Sequence, residues 1–349
     1  MRRYLVLLAI IIQLAVLGYM AGKREIILAT GKHISLQTAP IDPRDPFRGD
    51  YVRLSYPFNT VSQEVIHVEA KQKLYEKGYQ VYAVMKPSIN HLYAFDYLTD
   101  TKPENQLFIK GRTTSRRWNL GTGAVGVKYG LEQLYVEQGK GSQIERIRGN
   151  RSGLQVPMEV QLAVGTDGTA VIRDYQWSKL GMQLEILRFN RGNRRNSRSQ
   201  DADMPIPELS PKLKITLKNV SNMQLIVVDP GNHCGFKLKP VLNWSITTYT
   251  PLDTSCQLVT VSDNSLKILK PDQIYQVELD LGLPRWHMLF KDSQGIIKQG
   301  EIGSVDNNQM FRIVYQSPGS EQLSGLSSAP SIWLGTLASR AFNVRGRID

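Results

Sequence analysis

The hydrophobic pattern divides the chain into one long apolar run and many short segments that carry apolar residues in alternation or in brief clusters. Arg2 and Arg3 precede an apolar run from Tyr4 to Gly22, in which Gln13 is the one strongly polar residue. As a helix rising 1.5 Å per residue this run spans about 28 Å, close to the ~30 Å hydrocarbon core of a bilayer. The pattern therefore predicts a membrane-spanning helix at the N-terminus.

A cleaved signal peptide is the alternative interpretation of the apolar run. Signal peptides have an apolar core of roughly 7–15 residues and small residues three and one positions before the cut. A cut after Ala21 would place the large Tyr19 at the first of these positions, and the run is longer than such a core. We expect an uncleaved anchor over residues 1–25.

Charges on the two sides of the run indicate its orientation. The α-amino group, Arg2 and Arg3 lie before it, and Lys23, Arg24 and Glu25 follow it, so the excess of basic residues favours the N-terminus inside. The rest of the chain is then expected outside the cytoplasm.

Beyond the anchor the pattern predicts mainly short β-strands separated by Gly, Pro, Asn and Asp. The segment Glu69–Lys77, which ends at Gly78, predicts one short helix. Long helices do not alternate with the strands, which argues against a doubly wound α/β fold. The expected class is mainly β, and the strands first expected are Val52–Tyr56, Tyr79–Met85, Gln106–Lys110, Gln155–Val164 and Ala170–Arg173.

A basic and proline-rich segment, residues 188–211, separates two expected β domains, residues 26–187 and 212–349. Its arginines are followed by aspartates and prolines, and it has little apolar surface to bury, as in a linker. It is either a solvated hinge or a contact for anionic lipid or cell-wall polymer. The five arginines are Arg188, Arg191, Arg194, Arg195 and Arg198.

The second domain alternates apolar and polar residues from its first strand, Lys212–Lys218, where Leu213, Ile215 and Leu217 share one face. The spacing of its later strands predicts an antiparallel β-sandwich. In pattern it resembles bacterial immunoglobulin-like domains.

A specific motif lies at residues 39–56, where Gly49, Asp50 and Tyr51 are followed by Leu54 and Tyr56. A second motif begins at Lys128 and continues with Tyr129, Gly130 and Glu132. Together they resemble the GDYXXLXY family of bacterial proteins over about residues 31–175. The resemblance implies an inner-membrane protein without an assigned activity, of a kind typically encoded beside multi-pass membrane proteins, and it supplies no catalytic residues.

The first motif has a physical interpretation of its own. Gly49 suits a tight turn, and Val52, Leu54 and Tyr56 share one face of the following strand. The acids and arginines around the turn either form a salt-bridged loop or present a docking surface for a membrane protein. The candidate docking residues are Asp42, Arg44, Asp45, Arg48, Gly49, Asp50, Tyr51, Leu54, Tyr56, Tyr129, Gly130 and Glu132.

The composition is basic overall and offers few residues in patterns typical of metal or cofactor binding. Lys and Arg outnumber Asp and Glu by 43 to 31, which indicates a basic surface or an anionic partner, but the anchor disfavours nucleic acid. The 5 histidines lack metal-ligand spacing. The GxGxxG match at residues 121–126 follows no apolar strand, so a dinucleotide site is not expected.

No catalytic set, metal site or cofactor is predicted. GxSxG and HExxH are absent, and Ser35 lacks the setting of a serine–lysine peptidase. We expect a non-catalytic binding or scaffolding partner of multi-pass membrane proteins. The alternative is a peptidase- or hydrolase-like envelope enzyme with an unrecognised site.

The two cysteines, Cys234 and Cys256, exclude a disulfide-dense scaffold and a four-cysteine zinc site. Export would let them form a disulfide, which two antiparallel strands could close. Two unlinked thiols, or a metal site that includes His233, remain the alternatives.

Overall fold

The computed structural model describes residues 2–41, 51–69, 71–88, 92–114, 124–137, 140, 144, 147, 153–189, 210–241, 249–252, 256, 261–291, 296–304, 309–323 and 332–348. The chain forms two compact units. The first unit comprises residues 1–141 and 158–176, and the second comprises residues 142–157 and 177–349.

The N-terminal helix α1 runs without a break from Arg2 to Thr30. Its apolar part is exposed on all sides, from Tyr4 at 79% to Tyr19 at 73%. By length and composition this one helix could cross a membrane. The helix therefore continues beyond the predicted anchor, into a region where the sequence pattern indicated strands.

Two sheets build the rest of the first unit. Five strands pair in the order β11-β10-β1-β2-β9, and six pair in the order β3-β8-β7-β5-β6-β4. The named pairings are antiparallel except for β4 with β6. The strands are β1 (Lys32–Ile41), β2 (Tyr51–Ser55), β3 (Thr60–Val61), β4 (Ile66–His67), β5 (Gln80–Pro87), β6 (Tyr93–Thr99), β7 (Leu107–Thr114), β8 (Val125–Lys128), β9 (Gln133–Tyr135), β10 (Met158–Val164) and β11 (Ala170–Trp177).

The predicted face of β2 is confirmed, because Val52, Leu54 and Tyr56 are buried at 6%, 1% and 2% exposure. The short helix expected over Glu69–Lys77 is present as a 3₁₀ helix, Lys71–Tyr75. Short 3₁₀ turns are common connectors between strands.

The second unit contains antiparallel sheets around a large apolar core and a smaller apolar cluster. Their orders are β12-β13-β18, β14-β17, β15-β21-β22 and β16-β19-β20. The elements are β12 (Leu180–Arg188), β13 (Lys212–Asn219), β14 (Leu225–Val228), β15 (Phe236–Pro240), β16 (Tyr249–Pro251), β17 (Leu266–Leu269), β18 (Ile274–Asp280), β19 (Met288–Lys291), β20 (Ile297–Gly300), β21 (Phe311–Gln316), a short helix α2 (Ser320–Leu323) and β22 (Thr336–Ala338).

The mainly β class predicted from the sequence is confirmed, and so is the alternation in β13, where Leu213, Ile215 and Leu217 are fully buried. Residues 180–187, which we assigned to the first domain, belong to the strand β12, which pairs along its length with β13 and lies in the second unit. Of the expected linker, residues 190–209 lie outside the described residues. The immunoglobulin-like assignment stays a prediction.

The predicted pairing of Cys234 with Cys256 is present. The two residues form a disulfide across 22 positions, with Cα atoms 5.5 Å apart. The bond joins the segment before β15 to the segment after β16, so it closes a loop that contains both strands.

Candidate functional site

The two sequence motifs meet in the first unit at a junction between β2 and β9. Tyr51 pairs with Tyr135, and the Leu54 amide donates to the carbonyl of Glu132 at 2.9 Å. The Tyr56 hydroxyl donates to the Leu131 carbonyl at 3.1 Å. Each motif therefore supplies the hydrogen-bond partners of the other.

A second buried tyrosine, Tyr129, forms a hydrogen bond from the second motif to the segment that follows β2. The Tyr129 hydroxyl donates to the carbonyl of Phe58 at 3.1 Å, and the two rings pack edge to face. Burial, with a smaller contribution from the carboxylate of Glu132, raises the pKa of Tyr56 and of Tyr129 well above the usual range. Both hydroxyls therefore stay protonated and act as donors.

Glu132 organises the turn between β8 and β9. Its carboxylate accepts the amides of Tyr129 at 2.7 Å and Gly130 at 3.0 Å, and the side-chain amide of Asn59 at 3.1 Å. Gly130 has a φ of +79°, a conformation that glycine adopts without steric strain. Charge-assisted bonds to backbone amides make this turn a structural element in its own right.

These contacts limit what the motif can bind. Leu54, Tyr56 and Tyr129 are buried, so in this conformation their side chains do not reach a partner. Tyr51 and Glu132 are half-buried, and Gly130 is exposed. The candidate docking residues Asp42, Arg44, Asp45, Arg48, Gly49 and Asp50 lie outside the described residues.

The end of α1 is joined directly to the first unit. Ile27 is 6% exposed, and the Gly31 amide closes the helix on its carbonyl at 2.8 Å. A Cβ at Gly31 would lie 2.4 Å from the Ile27 oxygen and 3.1 Å from the backbone of Val164 in β10. Glycine is therefore needed where the helix turns into β1 against its neighbour.

An ion pair reinforces this joint. Lys23 Nζ lies 3.0 Å from Asp167 Oδ2, Lys110 Nζ lies 3.4 Å from the same atom, and Thr169 donates to both carboxylate oxygens. Partial burial would raise the pKa of Asp167, but the bonds from Thr169 and Lys23 and the Lys110 charge hold it well below its usual value. The Lys23 pKa is raised, chiefly by its hydrogen bond to Asp167.

Two clefts flank the end of α1 within the first unit. One, of about 910 Å³, lies between the helix and the loop before β7, and its lining includes Tyr19, Ile26 and Lys32. The other, of about 510 Å³, lies between the helix, β9 and β11. Its lining includes Arg24 and Arg173. Both clefts lie beside the C-terminal end of the apolar run.

In the second unit, Asp229 forms the arrangement closest to a catalytic one. Its Oδ2 lies 2.7 Å from His233 Nδ1 and accepts the Tyr275 hydroxyl at 2.6 Å. The carboxylate is 1% exposed, whereas the imidazole is 42% exposed. An ionised carboxylate only accepts, so Nδ1 is the donor of this hydrogen bond.

The GxGxxG match ends in a β-strand, and Ser35 lies in another. Val125–Lys128, at the end of the GxGxxG match, is the strand β8 rather than the start of a helix, so that match is not a dinucleotide site. Ser35 is buried in β1. Within the described residues no group of three or more His, Cys, Asp or Glu is placed to hold a metal ion.

Sequence reasoning missed Asp167 and Asp229. Asp167 precedes Gly168, which has a φ of +78°, so the Asp-Gly pair signalled a turn but not its ion pair with a residue 144 positions away. The spacing of Asp229 and His233 by four residues was the only local signal for the second pair.

Residues 13–174 match the model of a family described as GDYXXLXY protein. The match begins inside the apolar run and ends in β11, so it covers the C-terminal part of α1, both motifs and Asp167. No curated protein and no solved structure matches the chain.

Proposed function

We propose, from the premise that residues 13–174 are those of a GDYXXLXY protein, that this chain is a single-pass envelope protein that serves as a non-catalytic binding or scaffolding partner of a multi-pass membrane protein. The observation that best supports this proposal is that α1 continues directly into the first unit. A helix with a buried Ile27 and a paired Lys23 holds the domain at a fixed place on the membrane surface. Such an attachment suits a protein that acts on a neighbour in the same membrane.

The apolar surface of α1 supports the membrane part of the proposal. Its exposed Leu, Ile and Val side chains form a surface of the kind that lipid or another transmembrane helix covers. The charge difference across the run favours the N-terminus inside, and the disulfide of the second unit suits an oxidising compartment. Together they favour a bacterial inner-membrane protein with its bulk in the periplasm.

Protease treatment of intact spheroplasts tests this topology. We expect digestion of everything beyond about Lys23, with the disulfide formed in protein taken directly from cells. Full protection of the second unit in sealed spheroplasts would refute an N-in orientation.

Crosslinking in intact membranes, followed by purification of the full chain, tests the scaffolding role. We expect one multi-pass protein to be recovered with the wild type and lost with Ile27→Asp, which places a charge in the joint between helix and domain. Ile26→Asp is the matched control, because Ile26 is 63% exposed in the same helical turn. Equal recovery with both variants would contradict a role for the joint.

A hydrolase is the second candidate, and the Asp229–His233 pair is the observation that favours it. A histidine oriented by a buried carboxylate has the arrangement of a general base. Hydrolysis of ester or peptide substrates by the wild type and its loss in His233→Ala, with the fold retained, would establish this candidate in place of the scaffold.

A further inference from the structure

The smaller cleft, which we name the β9–β11 cleft, combines three basic side chains with two tyrosines. It has a volume of about 510 Å³ and is lined by the end of α1, by β9 and by β11. The basic side chains are those of Lys23, Arg24 and Arg173, and the tyrosines are Tyr135 and Tyr175. Tyr135 is 69% exposed.

The position of the cleft along α1 fixes its depth relative to a bilayer. The apolar run ends at Gly22, and the next two residues, Lys23 and Arg24, line the cleft. Because the helix is continuous to Thr30, these residues lie within about 3 Å of the end of the run along the axis. If the run fills the hydrocarbon core, the cleft opens into the headgroup layer. This step rests on the membrane anchor of the proposed function.

Within the described part of the chain, one of the three basic side chains in the cleft is paired with an acid and two are not. Lys23 is paired with Asp167. Arg24 is exposed and has no partner among the described residues. Arg173 is exposed and lies 3.1 Å from the His33 ring, which carries no negative charge to neutralise it.

One acid, Asp174, also lines the cleft. Its carboxylate is exposed and accepts the amide of Tyr175 at 2.8 Å. Two arginines against one acid leave the cleft with excess positive charge. Guanidinium groups bind phosphate through paired hydrogen bonds, and tyrosines are enriched at the headgroup level of membrane proteins.

We propose that the β9–β11 cleft binds the headgroup of an anionic phospholipid, with Arg24 and Arg173 on its phosphate and its acyl chains alongside the apolar run of α1. A zwitterionic lipid presents the same phosphate together with a cation, which the positive cleft disfavours. The bound lipid would join the helix end to β11 and help to hold the domain on the membrane.

Native mass spectrometry of the full chain from mixed micelles of phosphatidylglycerol and phosphatidylcholine tests the proposal. We expect the wild type to retain phosphatidylglycerol in preference to phosphatidylcholine. Replacement of the two arginines by glutamine, Arg24→Gln with Arg173→Gln, should lower that preference about tenfold, because each basic side chain near an anionic surface contributes to lipid attraction.

Lys237→Gln with Lys239→Gln is the matched control, since it removes the same charge from exposed positions of β15 in the second unit. The control should keep the wild-type preference. Equal preference in the wild type and the arginine variant would overturn the proposal, as would displacement of the lipid by equimolar inorganic phosphate, which would indicate a site for free phosphate.

Flotation of each variant with vesicles of phosphatidylcholine alone separates this proposal from the one it rests on. If the wild type floats but shows no preference for phosphatidylglycerol, only the proposed lipid site is wrong. If the wild type does not float, the proposed membrane anchor is wrong as well.

Discussion

The junction of the two motifs in the first unit and the core of the second unit bury their residues by different means. At the junction, the hydroxyls of Tyr56 and Tyr129 donate to backbone carbonyls of distant residues, and Glu132 accepts backbone amides within its own turn. In the second unit, β13 and β18 present alternating apolar side chains such as Ile215 and Val277 to one continuous core.

This difference sets what each region requires of its sequence. A backbone carbonyl at a fixed distance requires a donor such as a tyrosine hydroxyl, and a pair of backbone amides requires an acceptor such as a carboxylate, whereas an apolar core accepts many residues of similar volume. The family match spans residues 13–174 and ends before β12. We therefore expect the two units to be stabilised separately, so that a change in one leaves hydrogen exchange in the other unaltered.

Removal of the disulfide is expected to have the largest effect. Cys234→Ser with Cys256→Ser should lower the stability of the second unit by about 3 kcal/mol, since the bond closes a loop of 22 residues. Denaturant unfolding followed by hydrogen exchange should place the loss in the second unit. An equal loss of protection in β2 and β9 would contradict separate stabilisation.

Glu132→Ala should destabilise the first unit by about 2 kcal/mol, because it leaves the amides of Tyr129 and Gly130 without their charged acceptor. Chemical denaturation of the full chain in detergent measures this. Glu137→Ala is the control, because Glu137 is exposed and pairs only with Lys140 among the described residues. A change equal to that of the control would show that the turn does not depend on the carboxylate.

Tyr56→Phe should cost about 1 kcal/mol, since it removes one buried hydrogen bond while keeping the ring. Tyr315→Phe is its counterpart in the second unit, where the hydroxyl donates to the Val228 carbonyl at 2.9 Å. Hydrogen exchange should assign each loss to its own unit. Loss of protection in both units from either variant would argue for one cooperative structure.

Asp167→Asn should have the smallest effect, below about 1 kcal/mol, because the ion pair with Lys23 is half-exposed and screened by solvent. The folded-state pKa of Asp167 is depressed, so the carboxylate contributes fully above its unfolded pKa of about 3.9 and loses its contribution as pH falls below it. Limited proteolysis near Thr30 across this range measures the loss. A wild type and variant that respond identically to acid would contradict the pairing.

Much of the fold was predictable because alternation reports directly on burial. Leu213, Ile215 and Leu217 needed no tertiary information, and the disulfide was expected because the chain has 2 cysteines and the pattern of its N-terminus predicts export. The assignment of β12 was not predictable, because its hydrogen-bonded partner β13 follows the basic segment that looked like a boundary.

The joint at the end of α1 was also hidden from the sequence. Lys23 meets Asp167 only after β10 has paired with β1, which is a contact between distant parts of the chain. The motifs predicted a strand and a turn, but Tyr56 and Tyr129 are donors inside the fold, so these two positions contribute to the architecture and not to an accessible surface.

Hydrogen exchange of residues 23–30 in the full chain, reconstituted in lipid nanodiscs, tests most directly whether α1 continues without a break into the sheets of the first unit. We predict slow exchange through Thr30, with protection at Ile27 comparable to that of β10, and faster exchange in Gly31→Ala, whose added Cβ collides with the Ile27 carbonyl. Exchange of residues 23–30 at the rate of an unstructured linker in the wild type would contradict the account.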